Sequence, residues 1–133
     1  FNDILKMEEQ ALIGGNFSDL SLSEIHVIEA VAKQESQSAA NVAALLLITK
    51  GTLSVAVNTL IKKGYLLKTR DPHDKRITRL SLTEKGKAAN EFHKKYHNAM
   101  VQSVTNILND NELDILLKSL NQISTHFKNF KFE

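Results

Sequence analysis

The sequence predicts a mainly α-helical domain: six helices interrupted by one basic β-hairpin. Three observations carry that prediction. The chain has 133 residues, 42% of them apolar, which is enough for one buried core and too little for two independent ones. A single proline and five glycines leave little room for turn-rich β architecture, and the strongest repeating pattern has helical spacing. Charge is also segregated. Between Lys62 and Lys95, eleven basic residues (Lys62, Lys63, Lys68, Arg70, Lys75, Arg76, Arg79, Lys85, Lys87, Lys94, Lys95) stand against four acids (Asp71, Asp74, Glu84, Glu91), a local +7 in a chain of net charge +2. Such polarisation is the footprint of one basic face that meets phosphates.

Taken in order, residues 2 to 13 place Ile4, Leu5, Met7, Leu12 and Ile13 between acids, and Gly14-Gly15 ends that helix. Ser21 or Ser23 can cap a second helix, whose Ile25, Val27, Ile28, Val31 and Ala32 give it a largely buried face. Ser38 caps a third, short and Ala-rich, through Leu47. Thr49 caps a fourth that stops at Lys63-Gly64, where glycine supplies the left-handed residue. Tyr65 to Thr69 and Ile77 to Leu82 alternate as strands of a two-to-three-stranded hairpin about the turn from Arg70 to Arg76. Thr83-Glu84-Lys85-Gly86 opens a long fifth helix. Asp110-Asn111-Glu112 restarts the chain as a sixth, with Leu113, Leu116, Leu117, Leu120, Ile123 and Phe127 on one stripe.

Several function classes fall away. No run of eighteen apolar residues and no basic-then-apolar leader is present, so neither a membrane span nor a signal peptide is expected, and the expected location is cytoplasmic. Because the chain starts with Phe1, a few native N-terminal residues are expected to be missing. The absence of cysteine removes disulfides, thiolate metal sites and Cys nucleophiles together. There is no nucleophile elbow, no Gly-rich phosphate loop and no carboxylate pair in an evident cleft, so neither an enzyme nor a cofactor is expected. A winged-fold module that binds protein rather than DNA stays open as an alternative.

A helix enters the major groove only if its leading face is slim and polar. Thr49, Lys50, Gly51, Thr52, Ser54, Val55, Asn58 and Thr59 supply such a face. Behind it, Leu53, Ala56, Val57, Leu60 and Ile61 are spaced to pack on Val42, Ala43, Leu45 and Leu46 of the preceding helix, as in a helix-turn-helix. Thr52 and Asn58 are expected to reach bases and Lys50 a phosphate, with Ser38 also among the expected DNA-binding residues. In the hairpin, Arg70, Lys75, Arg76 and Arg79 bracket a turn whose Asp74 precedes Arg76 by two positions, close enough to hold its guanidinium outward toward a minor groove. The competing reading is a turn-stabilising surface pair worth under about 1 kcal/mol.

These residues resemble the MarR family of bacterial winged helix-turn-helix regulators, whose wing signature has the form RDxxDxRxxxxxLTxxG. Here it stands as Arg70-Asp71, Asp74-Lys75-Arg76, Leu82-Thr83 and Gly86. The resemblance covers nearly the whole chain. It implies a homodimer on double-stranded DNA, with residues 1–20 and 96–133 as dimerisation helices and 21–95 as the winged DNA-binding region. Composition points the same way: the terminal helices carry more large apolar residues (Leu5, Leu113, Leu116, Leu120, Phe127, Phe130, Phe132) than a slim reader covers. A two-fold dimer implies an inverted-repeat operator with half-sites about 10 bp apart centre to centre, or a multiple.

Within the family, Asn2-Asp3-Ile4-Leu5 with Glu8-Glu9, Leu22-Ser23-Glu24-Ile25-His26 and the run from His93 to Val101 resemble the branch that represses fatty-acid biosynthesis genes in streptococci and related Firmicutes. That branch implies a long-chain acyl group on acyl carrier protein as co-repressor. Its tunnel would lie near Ile13, Phe17, Leu20, Ile25, Ile28, Phe92, Tyr96 and Met100, where Met and Phe suit a flexible chain. The alternative is a zinc-responsive repressor. His93 and His97 stand at i and i+4, and His26 with Glu8 or Glu9 could complete a tetrahedral shell.

Overall fold

The structure, a computed structural model, describes residues 2–132, without the side chain of Ile13. The described elements are α1 (Asn2–Gly14), α2 (Leu22–Ala32), β1 (Gln37–Ser38), α3 (Ala39–Leu46), α4 (Lys50–Lys62), β2 (Leu66–Arg70), β3 (Thr78–Leu82), α5 (Glu84–Ile107) and α6 (Asp110–Asn129). They form two compact units, Phe1–Tyr96 and His97–Glu133, with α5 running through the boundary.

Local chemistry places the helix ends. Ser21, not Ser23, caps α2: its hydroxyl accepts the Glu24 N–H at 3.3 Å while the Glu24 carboxylate accepts the Ser21 N–H at 2.9 Å, a reciprocal capping box. Ser38 and Thr49 cap α3 and α4 as expected. The sixth helix is capped one residue earlier than its acids suggest, by Asn109. Gly64 takes φ +84° after α4, the left-handed conformation glycine adopts without a Cβ clash. Leu47, between α3 and α4, takes φ 55° without that licence and is 93% exposed.

The sheet shifts the expected strand starts and falls within the two-to-three-stranded expectation. The paired segments run one residue later than expected at their starts, Leu66 rather than Tyr65 and Thr78 rather than Ile77. A third strand, β1, joins the far edge to give the order β1-β3-β2, all antiparallel, with Gln37 opposite Leu80 and Ser38 opposite Arg79. Two residues are too few for an alternating pattern to show. Gln37 is nonetheless buried, and its Nε2 donates to the Ala30 carbonyl at 2.9 Å, which satisfies a buried amide.

The first unit encloses the core. Ile25, Ile28 and Val31 of α2, Val42 of α3, Leu60 of α4, Tyr65, Leu80 of β3 and Ala89 of α5 are fully buried, joined by Leu12 of α1. Leu45, expected to pack on α4, is 50% exposed, whereas Val42 and Ala43 lie in the core and Leu46 packs against it. At Gly86 a Cβ would sit 2.2 Å from the Tyr65 carbonyl oxygen, so the first turn of α5 crosses the hairpin at a distance only glycine permits. The second unit differs: no described residue of α6 is buried. No single described helix is long and apolar enough to cross a membrane.

Candidate nucleic-acid interface

The α3–turn–α4 unit presents Lys50, Gly51, Thr52, Ser54, Val55 and Asn58 to solvent, all exposed. Their neighbours are occupied in shaping the helix. The Thr49 hydroxyl caps it, accepting the Thr52 N–H at 3.1 Å and sharing a 2.9 Å hydrogen bond with the Thr52 hydroxyl. Thr59, half-buried, donates its hydroxyl back to the Val55 carbonyl. Asn58 is tied to the hairpin, since its Oδ1 accepts from Lys68 Nζ of β2 at 3.4 Å.

Two Asp–Arg pairs build the wing. At the tip, Asp74 accepts the Arg76 backbone N–H, its Nε and its Nη2, each at 3.0 Å. The guanidinium is thereby fixed although 91% of the Arg76 side chain is exposed. The fork lowers the Asp74 carboxyl below the ordinary carboxylate range and raises Arg76 further. At the base, Asp71 is buried; its Oδ2 accepts Arg79 Nε at 2.8 Å and its Oδ1 accepts the N–H groups of His73 and Asp74 at 2.9 and 3.0 Å. The Arg79 guanidinium, then these two N–H groups, hold Asp71 down at about 2. Arg70 Nη1 donates to the Lys75 carbonyl and to the Thr78 hydroxyl.

Between helix and wing lies a cleft of about 540 Å³ whose polar lining is Ser38, Lys50, Gly51, Ser54, Lys68, Arg76 and Thr78 over a floor that includes Leu53, Val57 and Leu80. Five of the residues read from the sequence (Ser38, Lys50, Gly51, Ser54, Arg76) meet in it. Thr49, Thr52, Val55, Asn58 and Thr59 lie on the same helix outside that lining, and Arg70, Asp74 and Lys75 stand in the hairpin. Arg79 is engaged by Asp71 rather than turned outward. The sequence reading gave no site role to Lys68, Thr78 or Asp71. The signal for Asp71 was the wing signature itself, where it follows Arg70, although its partner Arg79 comes within reach only once the hairpin folds.

The residues expected around a ligand divide. Leu20, Ile25 and Ile28 are core. Phe17 is half-buried between the Tyr65 ring, 6.4 Å away, and the Phe92 ring, 5.5 Å away. Tyr96 is half-buried, Met100 belongs to the second unit, and the side chain of Ile13 lies outside the described residues. Of the expected metal donors, Glu8, His26 and His93 come together, with donor atoms within 4.8 Å of one another. His93 Nε2 is 2.6 Å and His26 Nε2 3.7 Å from Glu8 Oε1. Glu9 is exposed outside this group and His97 belongs to the second unit. Glu29, not foreseen, stands 3.9 Å from His93 Nδ1.

Residues 20–86 match the family model described as a winged helix DNA-binding domain. An uncharacterized HTH-type transcriptional regulator of Bacillus subtilis, YhjH, is 32% identical over 83 residues, 62% of this chain and 47% of that protein. The present chain therefore spans about half the length of that relative. The B. subtilis regulator MhqR is 23% identical over 111 residues, 84% of this chain and 77% of MhqR. Among solved structures, Streptococcus pneumoniae FabT in complex with DNA superposes with a TM-score of 0.93 at 32% identity, covering 98% of this chain and 92% of that one. An E. coli MarR mutant complexed with operator DNA shares the fold, with a TM-score of 0.67 at 21% identity over 91% of this chain and 89% of that one. With the fold, the wing and these likenesses in agreement, the chain belongs to the MarR family of winged helix DNA-binding transcriptional regulators.

Proposed function

We propose that this regulator is a homodimeric repressor that binds an inverted-repeat operator, controls fatty-acid biosynthesis genes, and takes long-chain acyl-acyl carrier protein as co-repressor. The observation that carries the DNA reading is the Arg76 fork: a guanidinium 91% exposed yet fixed by both oxygens of Asp74, beside a cleft shared with the leading end of α4. Thr52 and Asn58 address bases, Lys50 and the wing cations address phosphates, and Arg76 enters the minor groove. Residues 1–20 and 96–133 supply the dimer and 21–95 the reader. The apolar stripe of α6 supports this, with Leu117, Leu120 and Ile123 each 52% exposed and Phe127 67%, a surface suited to a second copy. The regulatory part rests on the likeness to FabT along nearly the whole chain and on the half-buried Phe17 and Phe92, whose rings pack 5.5 Å apart.

The test is a titration of an inverted-repeat duplex with and without acyl carrier protein bearing a long acyl chain. Tighter binding with the acylated carrier is expected; unchanged affinity sinks the co-repressor. The Glu8–His26–His93 group favours a second reading, a zinc-responsive repressor. One carboxylate oxygen and two imidazole nitrogens within 4.8 Å suit a tetrahedral ion with a fourth position open. Equilibrium dialysis at micromolar zinc checks it: one ion per subunit supports the reading, and less than one disposes of it.

A further inference from the structure

At the opposite end of α4 from Lys50, polar side chains from three segments of the first unit interlock. Lys63, the last residue of the α4 turn, donates to both Glu24 oxygens at 2.9 and 2.7 Å and to the Asp19 carbonyl. The buried Tyr65 donates its phenol O–H to Asp19 Oδ1 at 2.6 Å. Lys85, from the first turn of α5, donates to the Lys63 carbonyl at 2.9 Å, lies 4.2 Å over the Tyr65 ring and approaches Asp19 Oδ2 at 3.8 Å. The Lys63–Glu24 pair is largely buried, with side chains 28% and 13% exposed, whereas Lys85 and Asp19 at its edge are 49% and 46% exposed. Burial alone would raise Glu24, yet Lys63 and the Ser21 N–H outweigh it and lower the carboxyl; the Tyr65 phenol likewise lowers Asp19.

The clasp therefore fixes one end of α4 from outside the DNA face. A helix of 13 residues is about 20 Å long, so a tilt of about 3° at the clasp moves the far end by about 1 Å. Reading base edges tolerates displacements of only about 0.5 Å. We propose that Asp19 and Glu24 are positioning residues for sequence reading: through Tyr65 and Lys63 they set where the exposed face of α4 meets the bases, without touching DNA. The inference rests on the operator reading above. It also gives the α1–α2 loop a role that no DNA contact would reveal, and Phe17, packed on both Tyr65 and Phe92, makes that loop continuous with the packing of α5.

Glu24→Gln separates positioning from charge by the sign of its effect. Removing an acid makes the protein more positive, so electrostatics alone would tighten binding to every duplex. Positioning demands the reverse on the specific site only. An operator is first selected from a random duplex pool by the unmodified protein, and affinities for it and for the unselected pool are then measured below the unfolding temperature of each variant. The expected result for Glu24→Gln is an operator affinity about tenfold weaker with pool affinity within about twofold of the parent, the effect of a displaced reader. Tyr65→Phe, which removes only the phenol contact, should show the same pattern at about threefold. Should Glu24→Gln fail to fold, Tyr65→Phe and Asp19→Asn decide. Operator binding as tight as the parent's, or equal losses on both duplexes, overturns the inference. A parent that selects no sequence at all overturns the operator reading itself, and is told apart from the former because it needs no variant.

Discussion

The residues up to Tyr96 and those from His97 onward put the same sequence pattern to opposite ends. In the first unit, the apolar positions of α2 close on α4 and the sheet, so that Ile25 and Ile28 are fully buried. In the second, an apolar stripe of similar spacing stays open, with Leu120 at 52% and Phe127 at 67% exposure. Apolar surface lowers the free energy only when water leaves it, at about 25 cal/mol per Å². Periodicity thus identifies the face that must be covered and says nothing of what covers it. In the first unit the chain covers itself; in the second, the proposed cover is a second copy.

The largest effect that sharpens this contrast is at Gly86. A Cβ there would meet the Tyr65 carbonyl at 2.2 Å, so Gly86→Ala is expected to destabilise the first unit by about 3 kcal/mol, read by denaturant unfolding. Charging the open stripe with Leu120→Asp and Phe127→Asp should instead leave the first unit folded. If the proposed second copy covers this stripe, the variant should sediment as a monomer where the parent is a dimer and bind operator about a hundredfold more weakly, because two linked half-site contacts become one. A variant that stays dimeric would erase the distinction between the units.

A smaller effect of opposite sign is expected at Leu47. Its left-handed backbone costs a non-glycine residue roughly 1 kcal/mol, and its side chain is almost wholly exposed, so Leu47→Gly should raise stability by up to about 1 kcal/mol. The slightest change concerns the wing. Asp71 titrates near 2 in the folded protein against 3.8 in the unfolded chain. A depressed carboxyl contributes stability that is present above the unfolded value and lost as pH falls through the folded one. Amide protection at Ile77 and Thr78 should therefore decline between those values, and Asp71→Asn should flatten the decline.

Much of this was legible in the chain. Caps at Ser38 and Thr49, the glycine stop at Gly64 and the Asp74–Arg76 pair are local, within a few residues, and local chemistry writes them directly. What stayed hidden depends on register or on distant elements. Gln37 and Ser38 become a strand only because Leu80 and Arg79 lie opposite. Arg79 reads as a free cation until the hairpin brings Asp71 within 2.8 Å. His93 and His97 look like a pair by spacing, yet His93 finds Glu8, 85 positions earlier. The clasp of Asp19 and Tyr65 spans 46 positions, and no motif announces it.

The central claim, that the fixed Arg76 and the face of α4 form a DNA reader, is tested most directly by the salt dependence of duplex binding for the parent, Arg76→Ala and Asn58→Ala. Affinity is expected to fall steeply with salt. Arg76→Ala should lower the logarithmic slope by about 1 across sequences, whereas Asn58→Ala keeps the slope and loses about 1 to 3 kcal/mol at one base position. Binding that ignores salt, or that is the same in all three proteins, would contradict it.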